Sequence, residues 1–201
     1  MLAPAAKMAR PREFDETEVL DKALDVFWSK GYEAASVQDL VDATGLGRAS
    51  LYGAFGDKEQ LFKRVLGHYI ERVGGALAEL EAEPSTVRAL ERLFGAWVST
   101  TCPKSGPRGC FLVLSGTSCE GREAWARGLL EQSMKQTEAL LERLLRRGQE
   151  AGELRVDRDP AATARILVVM LQGVATAARA GWSREKLKSV TGDVLSNLAR
   201  P

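Results

Sequence analysis

Residues 45–62, GLGRASLYGAFGDKEQLF, set four glycines, Gly45, Gly47, Gly53 and Gly56, among residues that otherwise favour helix. Just before them lies SVQDLVDAT (36–44), a short amphipathic run that Ser36 and Asp39 open as a capping box. Its inward face is Val37, Leu40 and Val41. Only Leu46 separates Gly45, which ends this helix, from Gly47, a tolerable N-cap for a second helix over 48–55 that Gly56 closes. Two short helices joined by so tight a turn, with Leu40 and Val41 facing Leu51, make a helix-turn-helix pattern. In that arrangement the second helix enters a DNA major groove. Its exposed face is predicted to hold Gly47, Arg48, Ala49, Ser50, Tyr52, Gly53 and Ala54, while Leu51 and Phe55 pack inward. Arg48 can donate to phosphate or guanine, Ser50 is a small hydrogen-bonding residue, and Tyr52 offers a hydroxyl to phosphate. No acidic residue occurs between Gly45 and Gly56, so nothing there opposes the phosphate charge.

Outward from this segment the periodicity is helical throughout. Asp15 and Glu18 open a helix through Val19, Leu20, Ala23, Leu24, Phe27 and Trp28 that stops at Lys30-Gly31. Asp57 and Gln60 launch a longer helix through Leu61, Phe62, Val65, Leu66, Tyr69, Leu77 and Leu80, with Gly74-Gly75 weakening its middle. Pro84 begins a fifth helix, which ends before the turn-rich CPKSGPRG (102–109). The apolar run CFLVLSGTS (110–118) fits strand or buried helix, and helix is the better reading because no second strand candidate exists. A long helix over 124–149, one opened by Asp159-Pro160 and running to Ala180, and a last over Arg184–Ala199 follow. The chain is thus predicted all-α, with about nine helices.

Composition bounds the function. The 201 residues, 45% hydrophobic, carry 28 basic and 27 acidic side chains, so a net charge of +1 supplies no global attraction to nucleic acid or membrane. Over residues 1–64 the acids outnumber the bases, so a domain-wide basic footprint is missing. Arg10 and Arg12, on an expected flexible arm (1–14), and Lys58, at a helix start, are placed to reach phosphates. Helix N-termini at Ser36 and Gly47 add backbone donors. The longest uncharged run, ILVVMLQGVATAA (166–178), falls short of the roughly 20 residues of a spanning helix, so no transmembrane segment is predicted. Three cysteines without a CxxC pair fit a reducing, cytoplasmic setting. No histidine pairs with a nucleophile and no phosphate loop occurs, so no catalytic residue, cofactor or metal site is predicted.

The stretch FDETEVLDKALDVFWSKGYEAASVQDLVDATGLGRASLYGAFGDKEQLFKRVL (14–66) resembles the N-terminal domain of the TetR family of transcriptional regulators. It shares an aromatic-glycine-tyrosine helix end, a small polar cap, a glycine turn, a Leu-Tyr step and a phenylalanine before an Asp-Lys helix start. The resemblance implies a homodimer reading a palindromic double-stranded operator, with a helical C-terminal domain binding a small effector that releases the DNA. Two positions depart from the pattern: Val41 stands where alanine is usual, and Gly53 where histidine, tyrosine or arginine is frequent.

On this reading residues 15–60 form the DNA-binding domain and 61–201 the effector-binding and dimerisation domain. The expected DNA contacts are Arg10, Arg12, Ser36, Val37, Gln38, Gly47, Arg48, Ala49, Ser50, Tyr52, Gly53 and Lys58. The expected apolar effector pocket draws on Trp97, Cys110, Phe111, Leu114, Trp125, Met134 and Met170. The dimer is expected through the helices Pro160–Ala180 and Arg184–Ala199, the first being too apolar for a monomer surface. Two rivals remain at the level of sequence: a helical small-molecule binder that does not touch DNA, and a regulator sensing redox state through Cys102, Cys110 or Cys119.

Overall fold

A computed structural model of the chain describes residues 14–104, 106–117 and 123–199, the side chains of residues 116, 117 and 123–126 excepted. Arg10, Arg12 and Cys119 therefore lie outside the described residues, as does the side chain of Trp125. Within them there are nine helices: α1 (Glu16–Ala34), α2 (Val37–Thr44), α3 (Arg48–Phe55), α4 (Lys58–Ala82), α5 (Thr86–Thr101), α6 (Phe111–Thr117), α7 (Glu123–Glu150), α8 (Pro160–Arg179) and α9 (Arg184–Ser196). The only strand-like feature described is an isolated antiparallel bridge pairing Leu154 with Ala199.

Local chemistry fixes most helix ends. Asp15 accepts from the Thr17 and Glu18 amides, and Ser36/Asp39 and Asp57/Gln60 both form reciprocal capping boxes. Asp159 caps α8 ahead of Pro160 at its first position. The helical geometry of α1 breaks at Gly31, where the sequence places its stop, although one more turn follows. Two ends differ from expectation. Ser85, not Pro84, caps α5, because its hydroxyl can accept from the Arg88 amide whereas proline has no such acceptor. The last helix closes at Ser196 rather than Ala199, as the chain turns to pair with the α7–α8 connection through Arg155 N–H to Leu198 C=O at 3.1 Å. Gly74-Gly75 leaves α4 unbroken.

Two hydrophobic cores share α4. Its first half gives Leu61, Phe62, Val65, Leu66 and Tyr69 to a core with α1–α3, which Phe111 and Leu112 of α6 also enter. Its last turns give Leu80 to a second core with α5, α7 and α8. The join is aromatic. Tyr69 and Phe111 both lie about the Trp28 ring, at centroid distances of 5.4 and 5.5 Å, and Phe62 lies 6.1 Å from Phe111. Arg108, in the loop before α6, pairs with Asp25 of α1 at 2.5 Å and lies over the Trp28 ring.

Candidate nucleic-acid interface and effector cavity

Leu40, Leu51 and Phe55 are buried and hold α3 against α2 and α4, as the spacing predicts. Gly45 ends α2 with φ of 75° and donates its N–H to Val41, which turns the chain within two residues. Opposite the packed side, Gly47, Arg48, Ala49, Ser50, Tyr52 and Gly53 are exposed on one continuous face. Ala54 does not join them: it is half-buried against the first core, one turn beyond Leu51. Val41 is half-buried on the same core, which accommodates the larger side chain at the helix contact.

The first turn of α3 has no side-chain cap, so its leading amides point outward unspent. Arg48 makes no ion pair among the described residues, and a Cβ at Gly53 would meet nothing within 4 Å. On α2, Gln38 is exposed and donates to Asp42 at 2.7 Å, while Val37 is half-buried. The Ser36 hydroxyl donates to the Asp39 carboxylate at 2.8 Å and accepts from the Asp39 amide. Lys58 lies 4.5 Å from the Tyr32 ring centre, with its ammonium on the Glu33 carbonyl at 3.3 Å.

Several acids of this half are paired away from the α3 face. Asp39 pairs with Lys30 at 2.6 Å, and that bond, with those from Ser36, lowers its pKa to about 2. Glu18 pairs with Lys22, and Glu16 with Arg64. Asp21 is bonded by His68 and pairs with Arg72 of α4, and Asp25 pairs with Arg108, so two arginines from beyond the first three helices meet part of the acidic charge of α1. A simple charge count missed this because the partners are remote in sequence.

An inner cavity of about 60 Å³ lies among α4, α5, α6, α7 and α8. Trp97, Cys110 and Met134 line it, together with Tyr69, Ser133 and Gln172. Trp97 is fixed there by its indole N–H, which donates to the Leu171 carbonyl at 2.6 Å. Leu114 instead lines an adjoining outer pocket of about 360 Å³ between α6 and α8, which shares Cys110 and Gln172 with the inner one. Phe111 is withdrawn into the aromatic join, and Met170 packs on the second core. Burial raises the Cys110 thiol pKa, which keeps it protonated and poorly nucleophilic. Cys102, half-buried at the end of α5, gives its carbonyl to the Arg184 guanidinium. Tyr69 and Gln172 escaped the sequence reading; the one side-chain amide inside an otherwise apolar run, ILVVMLQGVATAA, was the signal for Gln172.

On α8, Ile166 and Val169 stand 62% and 69% exposed, on the side of the helix away from the core. The helix is long and apolar enough to cross a membrane by length and composition, yet Leu167, Val168, Leu171, Val174 and Ala178 are buried in the bundle. No group of histidine, cysteine and carboxylate side chains among the described residues could hold a metal.

Comparison with known proteins agrees with this geometry in both halves of the chain. Residues 19–65 match the family described as bacterial regulatory proteins, tetR family, and residues 86–192 the tetracyclin repressor-like C-terminal domain. The HTH-type transcriptional repressor ComR of Escherichia coli (strain K12) is 36% identical over 188 residues, 92% of this chain and 90% of its own. YezE of Bacillus subtilis (strain 168), an uncharacterized HTH-type transcriptional regulator, is 33% identical over 162 residues, 80% and 84% of the two chains. Among solved structures, a cysteine mutant of the TetR family regulator CifR, complexed with a 26-base-pair double-strand operator DNA, superposes with a TM-score of 0.77. It is 33% identical, with 93% of this chain and 98% of that one covered. With an exposed reading helix, a helical second core and family matches to both halves, the chain belongs to the TetR family of DNA-binding transcriptional regulators.

Proposed function

We propose that the protein is a cytoplasmic, homodimeric repressor that grips a palindromic operator through α3 and lets go when a small molecule occupies the α4–α8 cavity. The contacts to DNA run from Arg48, Ser50 and Tyr52 on α3, the Gly47 turn, Gln38 on α2 and Lys58 at the start of α4, and Arg10 and Arg12, outside the described residues, add basic side chains to them. Phosphate contacts set the register, and Arg48 supplies base readout. Residues 15–60 carry this activity, 61–201 carry effector binding and dimerisation, and α4 belongs physically to both.

One observation carries the control mechanism: Tyr69 lines the cavity and at the same time packs edge-on against Trp28 in the DNA-binding core. Cys110 and Leu112, also cavity residues, flank Phe111 in that same core. A molecule that widens the cavity therefore presses on α4 and α6 together and shifts α1–α3 as a unit. In a dimer this changes the separation of the two α3 helices away from the whole-turn spacing of a palindrome. The test is to select bound sequences from random duplex DNA and measure affinity at two salt concentrations. Affinity for one palindrome, falling steeply with salt, supports the reading; no affinity, or affinity indifferent to salt, overturns it.

A further inference from the structure

Among the described residues the inner cavity carries no formal charge: its walls come from five helices, and no described aspartate, glutamate, lysine, arginine or histidine lines it. Its two titratable groups are held neutral, because burial raises the pKa of both the Tyr69 phenol and the Cys110 thiol. The charged side chains of this region stand elsewhere. Arg72, Glu79 and Arg92 line the outer groove of about 270 Å³ between α4 and α5, which meets the cavity across Tyr69, Val73, Leu77, Leu93 and Trp97. Arg179 stands in the outer pocket beside α6, with its guanidinium on the Arg108 carbonyl at 3.4 Å.

Within this apolar wall Trp97 donates to Leu171, and the Thr137 hydroxyl donates to the Ser133 carbonyl at 2.9 Å. Gln172 differs in being both fully buried at its side-chain oxygen and unpaired there among the described residues. A buried acceptor without a donor is a standing penalty, and native structures keep few of them. Gln172 also lines both the inner and the outer pocket, so a molecule in either reaches its amide.

We infer that the effector is a small, uncharged, largely apolar molecule carrying one hydrogen-bonding group, such as a hydroxyl or a primary amide, and that Gln172 selects it. This rests on the effector reading above. An ion entering the cavity would lose its hydration and find no counter-charge, whereas an apolar body is accepted by Val73, Leu93, Met134 and Leu171. The single polar group then satisfies Gln172, whose amide can turn to donate or accept. At about 60 Å³ the cavity is well below the ~300 Å³ of an ordinary ligand pocket, so entry displaces walls, of which the one shared with the α4–α5 groove is a single layer of side chains lining both spaces.

The experiment uses the full-length protein and a matched probe set: benzyl alcohol, benzamide, toluene, benzoate and benzylammonium, followed by calorimetry and by thermal unfolding. Benzyl alcohol and benzamide should bind best, toluene more weakly, and the two ions at least ~100-fold more weakly than the alcohol. Gln172→Leu should bring benzyl alcohol down to the level of toluene while leaving toluene unchanged. It should also raise the Tm of the protein alone, because a partnerless acceptor is removed. Binding of an ion as tight as that of the alcohol, no binding by any probe, an alcohol preference that survives Gln172→Leu, or a lower Tm in that variant would each overturn the inference. None of these outcomes bears on DNA affinity, so failure here and failure of the repressor reading are separately visible.

Discussion

Arg108 and Asp25 meet at 2.5 Å across 83 positions of sequence, and the same guanidinium covers the Trp28 ring at 5.7 Å. The pair fastens the loop before α6 to the face of α1 that supports the DNA-binding core. Both side chains are partly exposed, at 31% and 63%, so the pair contributes below ~1 kcal/mol to stability. Its role is therefore geometric. Arg108→Ala is expected to leave Tm and operator affinity nearly unchanged while weakening the release of DNA by an effector. A fluorescence polarisation titration with and without effector checks this; release at the wild-type effector concentration would assign no coupling role to Arg108.

Arg48 offers the cleanest separation of function from stability. It sits in the first turn of α3, exposed, with no ion pair among the described residues, so removing it leaves nothing unpartnered. Arg48→Ala should keep the wild-type Tm and lose ~1–3 kcal/mol of operator binding, roughly 5- to 150-fold in Kd. Loss of affinity on the selected palindrome but not on random duplex would mark Arg48 as a base contact. An equal loss on both would make it a phosphate contact.

Gly53 and Gly56 are three residues apart and predict opposite outcomes. Gly56 has φ of 78°, and a Cβ there would run into the Gln60 side chain that closes the α4 capping box. Gly56→Ala should therefore destabilise the protein by more than ~1 kcal/mol. Gly53 is mid-helix with open space around it, so Gly53→Ala should raise stability by up to ~1 kcal/mol. If the backbone of α3 comes close to DNA at this position, the same variant also lowers operator affinity. Thermal unfolding and a binding isotherm on both variants decide the matter.

The part of this architecture legible in the sequence was the part written in short-range chemistry. Capping boxes at Ser36/Asp39 and Asp57/Gln60 and the Asp159-Pro160 start require only neighbours three residues apart, and each is present. The inward faces of α2 and α3 followed from spacing alone. The cavity was read less well, because periodicity says which residues are apolar but not which of two cores they enter. Phe111 went to the DNA-binding core and Met170 to the bundle for that reason. Long-range pairs such as Asp21 with Arg72, or Asp25 with Arg108, leave no local signature at all.

The Asp39 carboxylate predicts a pH response of a particular sign. Lys30 and Ser36 hold its folded pKa at about 2, below the ordinary aspartate value of 3.8. A depressed acid stabilises the fold above its unfolded pKa, and that contribution fades as pH falls from near 4 through about 2. The α2 cap should thus stay intact at pH 5 and loosen only in strong acid. Carboxylate titration followed by NMR should give a midpoint near 2 for Asp39; Lys30→Met should move it upward, since the Lys30 hydrogen bond is the first cause of the shift.

The exposed stripe of α8 predicts the assembly. Ile166 and Val169 present apolar surface one turn apart, and exposed Gly173 continues the stripe without a side chain to hold a partner off. Val190 on α9 adds a further exposed apolar side chain. A twofold interface brings the same patch to itself, so any substitution enters it twice. Val169→Asp therefore sets two carboxylates against each other in a surface that otherwise excludes water, whereas in an isolated protomer the same aspartate is solvated and harmless. Sedimentation should show a dimer for the wild type and a monomer for Val169→Asp at micromolar concentration, with helix content by circular dichroism unchanged. Operator affinity should fall with the dimer, because one α3 helix reads only one half-site and the second no longer binds as part of the same molecule. A Val169→Asp protein that remained dimeric would place the interface on another face of the bundle.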